Sequence, residues 1–398
     1  MQLVDLRKLQ AWWFDRQGLA VSNRNLRPNQ VLSRAGWARS VGGANPYTTF
    51  FARAGISRTQ ADQSLASQEI HELPSARGCT YVVPREDFAL ALTVGQGSSD
   101  ESAMATARKF LGVTDAEIAS LMEKVERALL GGPLDPKQIK EAVGDSSRNL
   151  GEVGKKRGQT TTLPLALGFL QSQGRIRRIP MGGRLDQQRY TYANWNPSPL
   201  SGTKLGREEA YAKLADKFFR WAGPATLDHF RWFSGLGVKV AKQAIDSVRL
   251  RTLDGAFLLP EDMADEFGDF SPPKEPIYSL VANIDSHLLL RRDLPNLIDP
   301  LDAEREMVGE KGLKKIGSLQ DLSSHAILDR GRVVGIWEFD PLSQEIVWHS
   351  FVEPSDDLRA AITRTEDFIR SDLGDMRSFS LDSPASRAPV LQAIRNLK

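Results

Sequence analysis

Residues 285–292, Asp-Ser-His-Leu-Leu-Leu-Arg-Arg, place four chemically capable side chains in one short run. Read as a strand, the run sets Asp285 and His287 on one face, because alternate residues share a side. A carboxylate beside an imidazole is either an acid/base pair or a structural Asp–His hydrogen bond at the edge of a sheet. Arg291 and Arg292 then contact phosphate or form local ion pairs. His71 adjoins Glu72, but a metal site needs further ligands and the sequence offers none, so no metal is expected. Cys79 has no activating neighbour and reads as a buried thiol. No glycine-rich loop ends in Lys-Ser/Thr, which leaves ATP use unsupported. The dominant chemistry is cationic. Lys155, Lys156 and Arg157 form one cluster, and Arg175, Arg177, Arg178, Arg184 and Arg189 a second. Such side chains supply phosphate contacts, which position a protein without reading sequence.

The second cluster falls on a definable unit. Asp135 and Pro136 open a helix over DPKQIKEAV. TTTLPLALGFLQSQG is a second helix, capped by Thr161 or Thr162 and ended by Gly174. RIRRIPM, the turn GGR and RYTYANW then read as a β-hairpin, with Arg175 and Arg177 on one face opposite Ile176. Helix, turn, helix and hairpin make a winged helix. A second such unit spans about 207–260. REEAYAKLADKFFRWAG is amphipathic, Thr226 caps a short helix over LDHFRWFS, VKVAKQAIDSV follows, and a hairpin turns at Asp254-Gly255. Its Trp221, Phe230, Trp232 and Phe233 read as core rather than as a base-stacking platform. Residues 20–95 contain a helix after Arg58 and a turn and strand over HELPSARGCTYVVP, and are assigned a third winged helix. Residues 98–130 are helical, with Thr114 and Glu117 as a capping box. Residues 275–352 read as strands turning at 329–331 and 340–344, and are expected to form a small antiparallel β-barrel. LRAAITRTEDFIRSDL is a helix and FSLDSPASRAP a loop. The expected class is α+β, with three tandem winged-helix modules and a C-terminal barrel. The boundaries are 1–132, 133–200, 201–262 and 263–398.

Bulk composition sets limits. The 398 residues, 41% hydrophobic and 26% charged, suit a globular chain of two to four domains. One cysteine excludes an internal disulfide framework and fits a reducing compartment. The N-terminal run MQLVDLRKLQAWWFDRQG lacks an apolar core, so neither signal peptide nor membrane anchor is expected. Net charge is only +2, but it is segregated. Residues 1–60 hold nine Lys/Arg against two acids, residues 151–190 eight against two, and residues 261–310 thirteen acids against four bases. This implies a basic face, as a polyanion binder requires, or clustering on solvated surfaces.

Four segments, LPLALGFLQSQGRI, FFRWAGPATLDHFRWFSGL, NIDSHLLLRRD and ILDRGRVVGIWEF, occur in order over about residues 160–340. In these the chain resembles the winged-helix DNA glycosylases of the YcaQ and AlkZ type. The resemblance implies a bacterial, cytoplasmic protein, nucleoid-associated when bound to DNA. Its implied partner is double-stranded DNA, damaged DNA included, with no membrane partner, no cofactor and a monomeric state. Family members remove N-alkylated purines, and some unhook interstrand crosslinks. A Gln-x-Gln or Gln-x-Asp motif before a helix orients their water. Here the matching stretch is ARSVGGANPYTTFFARAG, and Gly42 and Ala44 stand at the two motif positions. The nearest polar replacement is Asn45, either a water-orienting amide or part of an Asn-Pro turn. Arg39, Arg53 and Arg58 flank it as phosphate contacts or ordinary surface charges.

Three functions follow as expectations. The chain is a DNA-repair protein that excises a damaged base as a monofunctional glycosylase, with Asn45, Asp285 and His287 as candidate catalytic residues. It is alternatively a non-catalytic or regulatory DNA binder that has lost the hydrolytic motif, or a scaffold whose modules bind proteins.

Overall fold

Capping side chains fix where several helices begin. In the computed structural model, which describes residues 5–20, 25–97, 99–309 and 312–397, Asp135 accepts a hydrogen bond from the Gln138 amide at 2.8 Å. The Asp135 amide donates in turn to the Gln138 side-chain oxygen at 2.9 Å, so two orphan donors of the first turn are satisfied at once. Thr114 and Thr226 cap their helices as expected. Thr162 precedes its helix without capping it, because its hydroxyl accepts from the Arg148 amide instead. Residues 1–4 of the N-terminal run and 21–24 of the first expected module lie outside the described residues.

The chain starts with α1 (Leu6–Arg16), α2 (Pro28–Ala35), β1 (Ala38–Arg39), α3 (Asn45–Ala54) and α4 (Arg58–Ala66). A hairpin of β2 (Ile70–Pro74) and β3 (Thr80–Pro84) follows, then α5 (Phe88–Gly95). Both arms of this hairpin are strands, where the sequence suggested a turn and one strand. Next come α6 (Ser99–Leu111), α7 (Asp115–Ala128), α8 (Pro136–Val143), α9 (Gly151–Lys156) and α10 (Leu163–Ser172). They lead into the hairpin of β4 (Ile176–Pro180) and β5 (Tyr190–Asn194). Then α11 (Arg207–Ala222), α12 (Leu227–Ser234) and α13 (Val238–Asp246) precede the hairpin of β6 (Leu250–Thr252) and β7 (Leu258–Pro260), and α14 (Ala264–Asp269) follows. The last part holds β8 (Tyr278–Val281), α15 (Ser286–Leu289), and the hairpin of β9 (Glu306–Gly309) and β10 (Gly312–Lys315). β11 (His325–Asp329), β12 (Arg332–Asp340), β13 (Glu345–Ser350), α16 (Asp356–Phe368) and α17 (Pro384–Asn396) complete it.

The mixed α and β class is as expected, but the C-terminal strands do not close into a barrel. They form an open antiparallel sheet in the order β13-β12-β11-β8. Both faces of that sheet are covered. Val334, Trp337 and Phe339 pack with Tyr47, Phe50, Leu358 and Ile362 of α3 and α16. Val333 and Ile336 pack with Trp12, Trp13 and Phe14 of α1. Helices already bury the two apolar faces, so the sheet gains nothing by curling on itself. The tail is corrected too. Residues 384–396 are helical, because Ser383 caps the helix and Pro384 opens it.

The run 285–292 is not a strand. Asp285 caps the short helix α15 by accepting from the His287 amide at 2.9 Å. The same carboxylate takes a fork from Arg53, with both nitrogens at 2.8 Å, and a bond from the Thr49 hydroxyl at 3.1 Å. Arg53 also donates to the Gln17 carbonyl at 2.8 Å. Arg53 is 2% exposed and Asp285 0%. Burial alone would raise the Asp285 carboxyl, but the Arg53 charge and its hydrogen bonds outweigh this and hold it below the ordinary carboxylate value. Arg53 is therefore not a phosphate contact. Neither is Arg291, buried over the Trp13 ring at 4.1 Å and donating to the Ala222 and His287 carbonyls. Removing one partner of a buried pair strands the other charge. Asp285→Asn is expected to lower unfolding free energy by about 3–5 kcal/mol, measured by denaturant titration, with no reduction in the slope of the transition.

Candidate functional site

The loop 40–44 joins β1 to α3, and its conformation demands glycine. Gly42 has φ 72°, a region other residues enter at a cost. It lies against the side chains of Gln188 and Ser380, and Gly43 against the carbonyl of Ser378, so closely that a Cβ at either would collide. The loop is thus covered by a strap, residues 375–383, which connects the end of α16 to α17. The Ala44 amide donates to the Arg377 carbonyl at 2.8 Å, and the Ser380 amide donates to the Val41 carbonyl at 3.2 Å. The Ser380 hydroxyl donates to Gln188 at 2.8 Å. Asn45 begins α3 and is 1% exposed. Its amide nitrogen donates to the Arg39 carbonyl at 2.7 Å, while its amide oxygen has no protein donor.

The β4–β5 hairpin packs on this loop. The Leu185 amide donates to the Tyr47 hydroxyl at 2.8 Å, and Tyr47 donates to Asp62 at 2.5 Å. Burial first, and then Asp62, push the Tyr47 phenol well above its usual range. Buried Glu72 receives the Ser40 hydroxyl and faces Arg178 at 3.5 Å. Arg178 lies 4.5 Å over the Tyr190 ring, so it ties the hairpin to β2. His71 is buried edge-on to Trp195 at 5.1 Å. Burial, then Arg177 and Arg178, bring its pKa down from 6.5 to about 3.

On the other side of the loop opens a cavity of about 220 Å³. Trp37, Tyr81, Trp232 and Phe233 line it together with Arg39, Arg77, Leu289 and Asp321. The Arg77 guanidinium sits 3.4 Å from the Trp232 ring centre, and that of Arg292 sits 4.2 Å from the same ring. Arg39 lies 5.4 Å over Tyr81. Both indoles are fixed. Trp37 donates to Asp87 at 2.9 Å and Trp232 donates to the Leu289 carbonyl at 3.1 Å.

The sequence-derived residues now separate. Arg39 borders both loop and cavity, and Arg292 stacks on the Trp232 ring while paired with Asp321 at 2.6 Å. Arg175 pairs with Glu126, Arg184 with Asp186 and Lys155 with Glu152. Arg58 pairs with Asp62 at 3.1 Å. Arg157 stacks on Phe110 of α6 at 3.6 Å, so the 155–157 cluster is anchored on α6 rather than on the hairpin. Among the described residues no carboxylate pairs with Arg39, Lys156, Arg157, Arg177 or Arg189. Asp285 and His287 are removed from the catalytic set. The carboxylate belongs to Arg53, and His287 is buried with its ring nitrogen 3.0 Å from the Gly331 carbonyl. Burial and Arg291 bring its pKa from 6.5 to about 3. Trp232 and Cys79, both expected in the core, are only partly buried and line the cavity. Arg77, Tyr81 and Trp37 escaped sequence reasoning because 37, 77–81, 232 and 292 meet only in three dimensions.

A family model described as DNA glycosylase AlkZ-like matches residues 38–368. No curated protein matches the chain. Among solved structures, the DNA glycosylase AlkZ of Streptomyces sahachiroi matches with a TM-score of 0.69 and 18% identity, over 94% of this chain and 98% of that one. At that identity the likeness is one of fold.

Two outcomes are expected. Gly43→Ala forces the strap off the loop and costs about 1–3 kcal/mol, read by thermal and denaturant melts, with faster hydrogen exchange of the Ala44 and Ser380 amides. For pH, the native state keeps His71 and His287 neutral, whereas the unfolded chain protonates near 6.5. Their contribution is complete above pH 6.5 and is lost as pH falls toward 3, by roughly 1.4 kcal/mol per histidine per unit. The melting temperature should drop below pH 6, and His71→Gln should make that acid limb shallower.

Proposed function

Because the chain belongs to the AlkZ-like DNA glycosylase family, we propose that it is a DNA-repair protein of glycosylase type. It binds duplex DNA, damaged sites included, and receives one extruded nucleotide beside the loop 40–44. A base inside a duplex is out of reach of a protein site and must leave the stack. The observation that carries the reading is the juxtaposition at this loop of an arginine-lined cavity on one side and the basic hairpin on the other. In this reading residues 1–132, 133–200 and 201–262 are winged-helix units and 263–398 is the C-terminal region. The helix-then-hairpin order ending in β2–β3, β4–β5 and β6–β7 supports it. Arg39, Arg177 and Arg189 contact phosphates, and Lys156 and Arg157 extend the footprint. The protein works as a cytoplasmic monomer.

Base release needs a water directed at the sugar carbon. Gly42 offers no side chain there and Ala44 only a methyl group. The unpartnered amide oxygen of Asn45 is the group assigned to accept a hydrogen bond from that water. A second reading, a binder that keeps the scaffold without hydrolysis, is favoured by one observation: the strap lies across the loop.

Anisotropy titrations with labelled duplex test the binding. Log affinity should fall by roughly 0.9 per phosphate contact per log unit of salt, and Arg177→Glu with Arg189→Glu should weaken binding about tenfold or more. A flat salt response, or an unaffected double variant, refutes it. Incubation with duplexes carrying N7-methylguanine or hypoxanthine, then alkaline cleavage at abasic sites, reads base release. Asn45→Ala should abolish it. Intact binding with no release from any lesion selects the second reading.

A further inference from the structure

The strap across the loop ends in an apolar tip for which neither the basic hairpin nor the cavity accounts. We propose that Leu381, with Phe379 beside it, is a wedge that enters the base stack of duplex DNA and fills the gap left by an extruded nucleotide. The wedge rests on the reading that a nucleotide leaves the duplex beside the loop 40–44, and it supplies the part that keeps the stack open.

Leu381 is 91% exposed and Phe379 44%. A single exposed leucine needs no explanation, and Leu342, in the turn between β12 and β13, is 84% exposed. Leu381 differs in how it is held. Residues 379–382 form a tight turn that is closed twice. The Asp382 amide donates to the Phe379 carbonyl at 3.1 Å, and the Phe379 amide donates to the Asp382 carboxylate at 2.8 Å. Inside the turn, Ser380 is tied to the Val41 carbonyl and to Gln188. Before the turn, Arg377 donates to the Asp186 carbonyl at 3.1 Å, and Arg387 holds Asp375 and the Met376 carbonyl. After it, Ser383 caps α17. The backbone under Leu381 is therefore fixed from both sides, and little ordering is left to oppose contact with a partner.

The surroundings of the turn name the partner. Gln188, which receives the Ser380 hydroxyl, directly precedes Arg189 of the basic hairpin. No carboxylate pairs with Arg189 among the described residues. On the other side, Phe379 lines the cavity together with Arg39 and Arg77. An apolar tip thus stands between two groups of cations. Duplex DNA has the complementary pattern, with phosphates outside and a stack of apolar faces between them. Extrusion of a nucleotide opens a gap in that stack and costs the lost stacking and pairing. An apolar side chain placed in the gap recovers contact with the neighbouring bases and blocks the return of the nucleotide. Because Phe379 reaches the cavity and Leu381 lies two residues on, one turn would fill the gap and border the space that receives the base.

A duplex with a gap already in its stack tests the wedge without requiring base release. Anisotropy titrations of the full chain compare a fully paired duplex with the same duplex carrying one central tetrahydrofuran residue, an abasic analogue. The wild-type chain should bind the gapped duplex about tenfold more tightly, since one leucine side chain is buried without the cost of unstacking a base. Leu381→Ala should abolish that preference and leave the dependence on salt unaltered, because an apolar contact displaces no counterions. Leu381→Met should restore it, and Leu342→Ala should keep it. A 2-aminopurine flanking the gap reads insertion directly. Its fluorescence should change on binding the wild-type chain and not on binding Leu381→Ala. Equal affinity of the wild-type chain for both duplexes, or a preference that survives Leu381→Ala, overturns the wedge, as does a preference lost equally in Leu342→Ala. In each of those cases salt-dependent duplex binding still stands, so the DNA reading survives alone. Absence of salt-dependent binding to either duplex sinks the DNA reading and the wedge with it.

Discussion

The forked bond between Arg53 and Asp285 is the interaction on which the rest of the molecule is hung. It joins residues 232 positions apart and completes three local structures at once. Through Asp285 it caps α15, through the Gln17 carbonyl it closes the end of α1, and through Thr49 it fixes the last turns of α3. A buried ion pair is weak evidence of stability, since a well-packed apolar pair can replace it. Its worth here is directional. The fork sets the rotation of α3 against β8 and α15, and an apolar substitute would not.

The positions of loop and cavity follow from that rotation. Gln17 reaches on to the Trp221 carbonyl at 2.8 Å, and Trp12 and Trp13 donate to the Gly223 and Pro224 carbonyls. The end of α11 is thereby held to α1, and α12 with Trp232 is placed opposite Arg77. α15 supplies Ser286 and Leu289 to the cavity wall, and the Leu289 carbonyl orients the Trp232 indole. The cavity is thus assembled from six segments distant in sequence, several of which a single buried network aligns. The strap has a parallel dependence. Arg387 of α17 holds Asp375 through two bonds near 3 Å and the Met376 carbonyl at 2.9 Å, which presses residues 377–380 onto Gly42 and Gly43. A glutamine at position 42 and the strap cannot occupy the same space.

What the sequence disclosed was local. Asp135 with Pro136, Thr226 and the glycines at 182 and 183 announce elements through features that span a few residues, and those elements stand where expected. The errors have one source. In 285–292 the alternation of Asp, His and apolar residues fits a strand as well as one turn of helix, and the deciding partner, Arg53, lies far away in the chain. The C-terminal strands alternated as barrel strands do, but whether both faces are buried depends on α1 and α16, which strand periodicity does not report. Trp232 and Phe233 are neighbours on α12, so their side chains diverge by roughly 100°. Phe233 is buried in the core and reaches the cavity from there, whereas Trp232 stays partly exposed at the cavity, a division that composition cannot make.

The arginines show why charge counting reached a correct region by a partly wrong route. The basic N-terminal stretch contains Arg53, whose charge is spent inside the core, and Arg39, whose charge is free. The basic hairpin contains Arg178, turned inward to Glu72, beside Arg177, which faces no carboxylate. A guanidinium whose full donor set meets protein acceptors is a structural part. One whose plane rests on an aromatic ring while its charge stays unpaired is held ready for an anion, since stacking fixes its position without neutralising it. By that criterion Arg39 and Arg77 are the informative cations. They sit on adjacent strand and turn, next to the loop where Gly42 and Ala44 stand in place of the side chains expected to hold water, so an anion can be gripped here beside the amide oxygen of Asn45 that no protein donor meets.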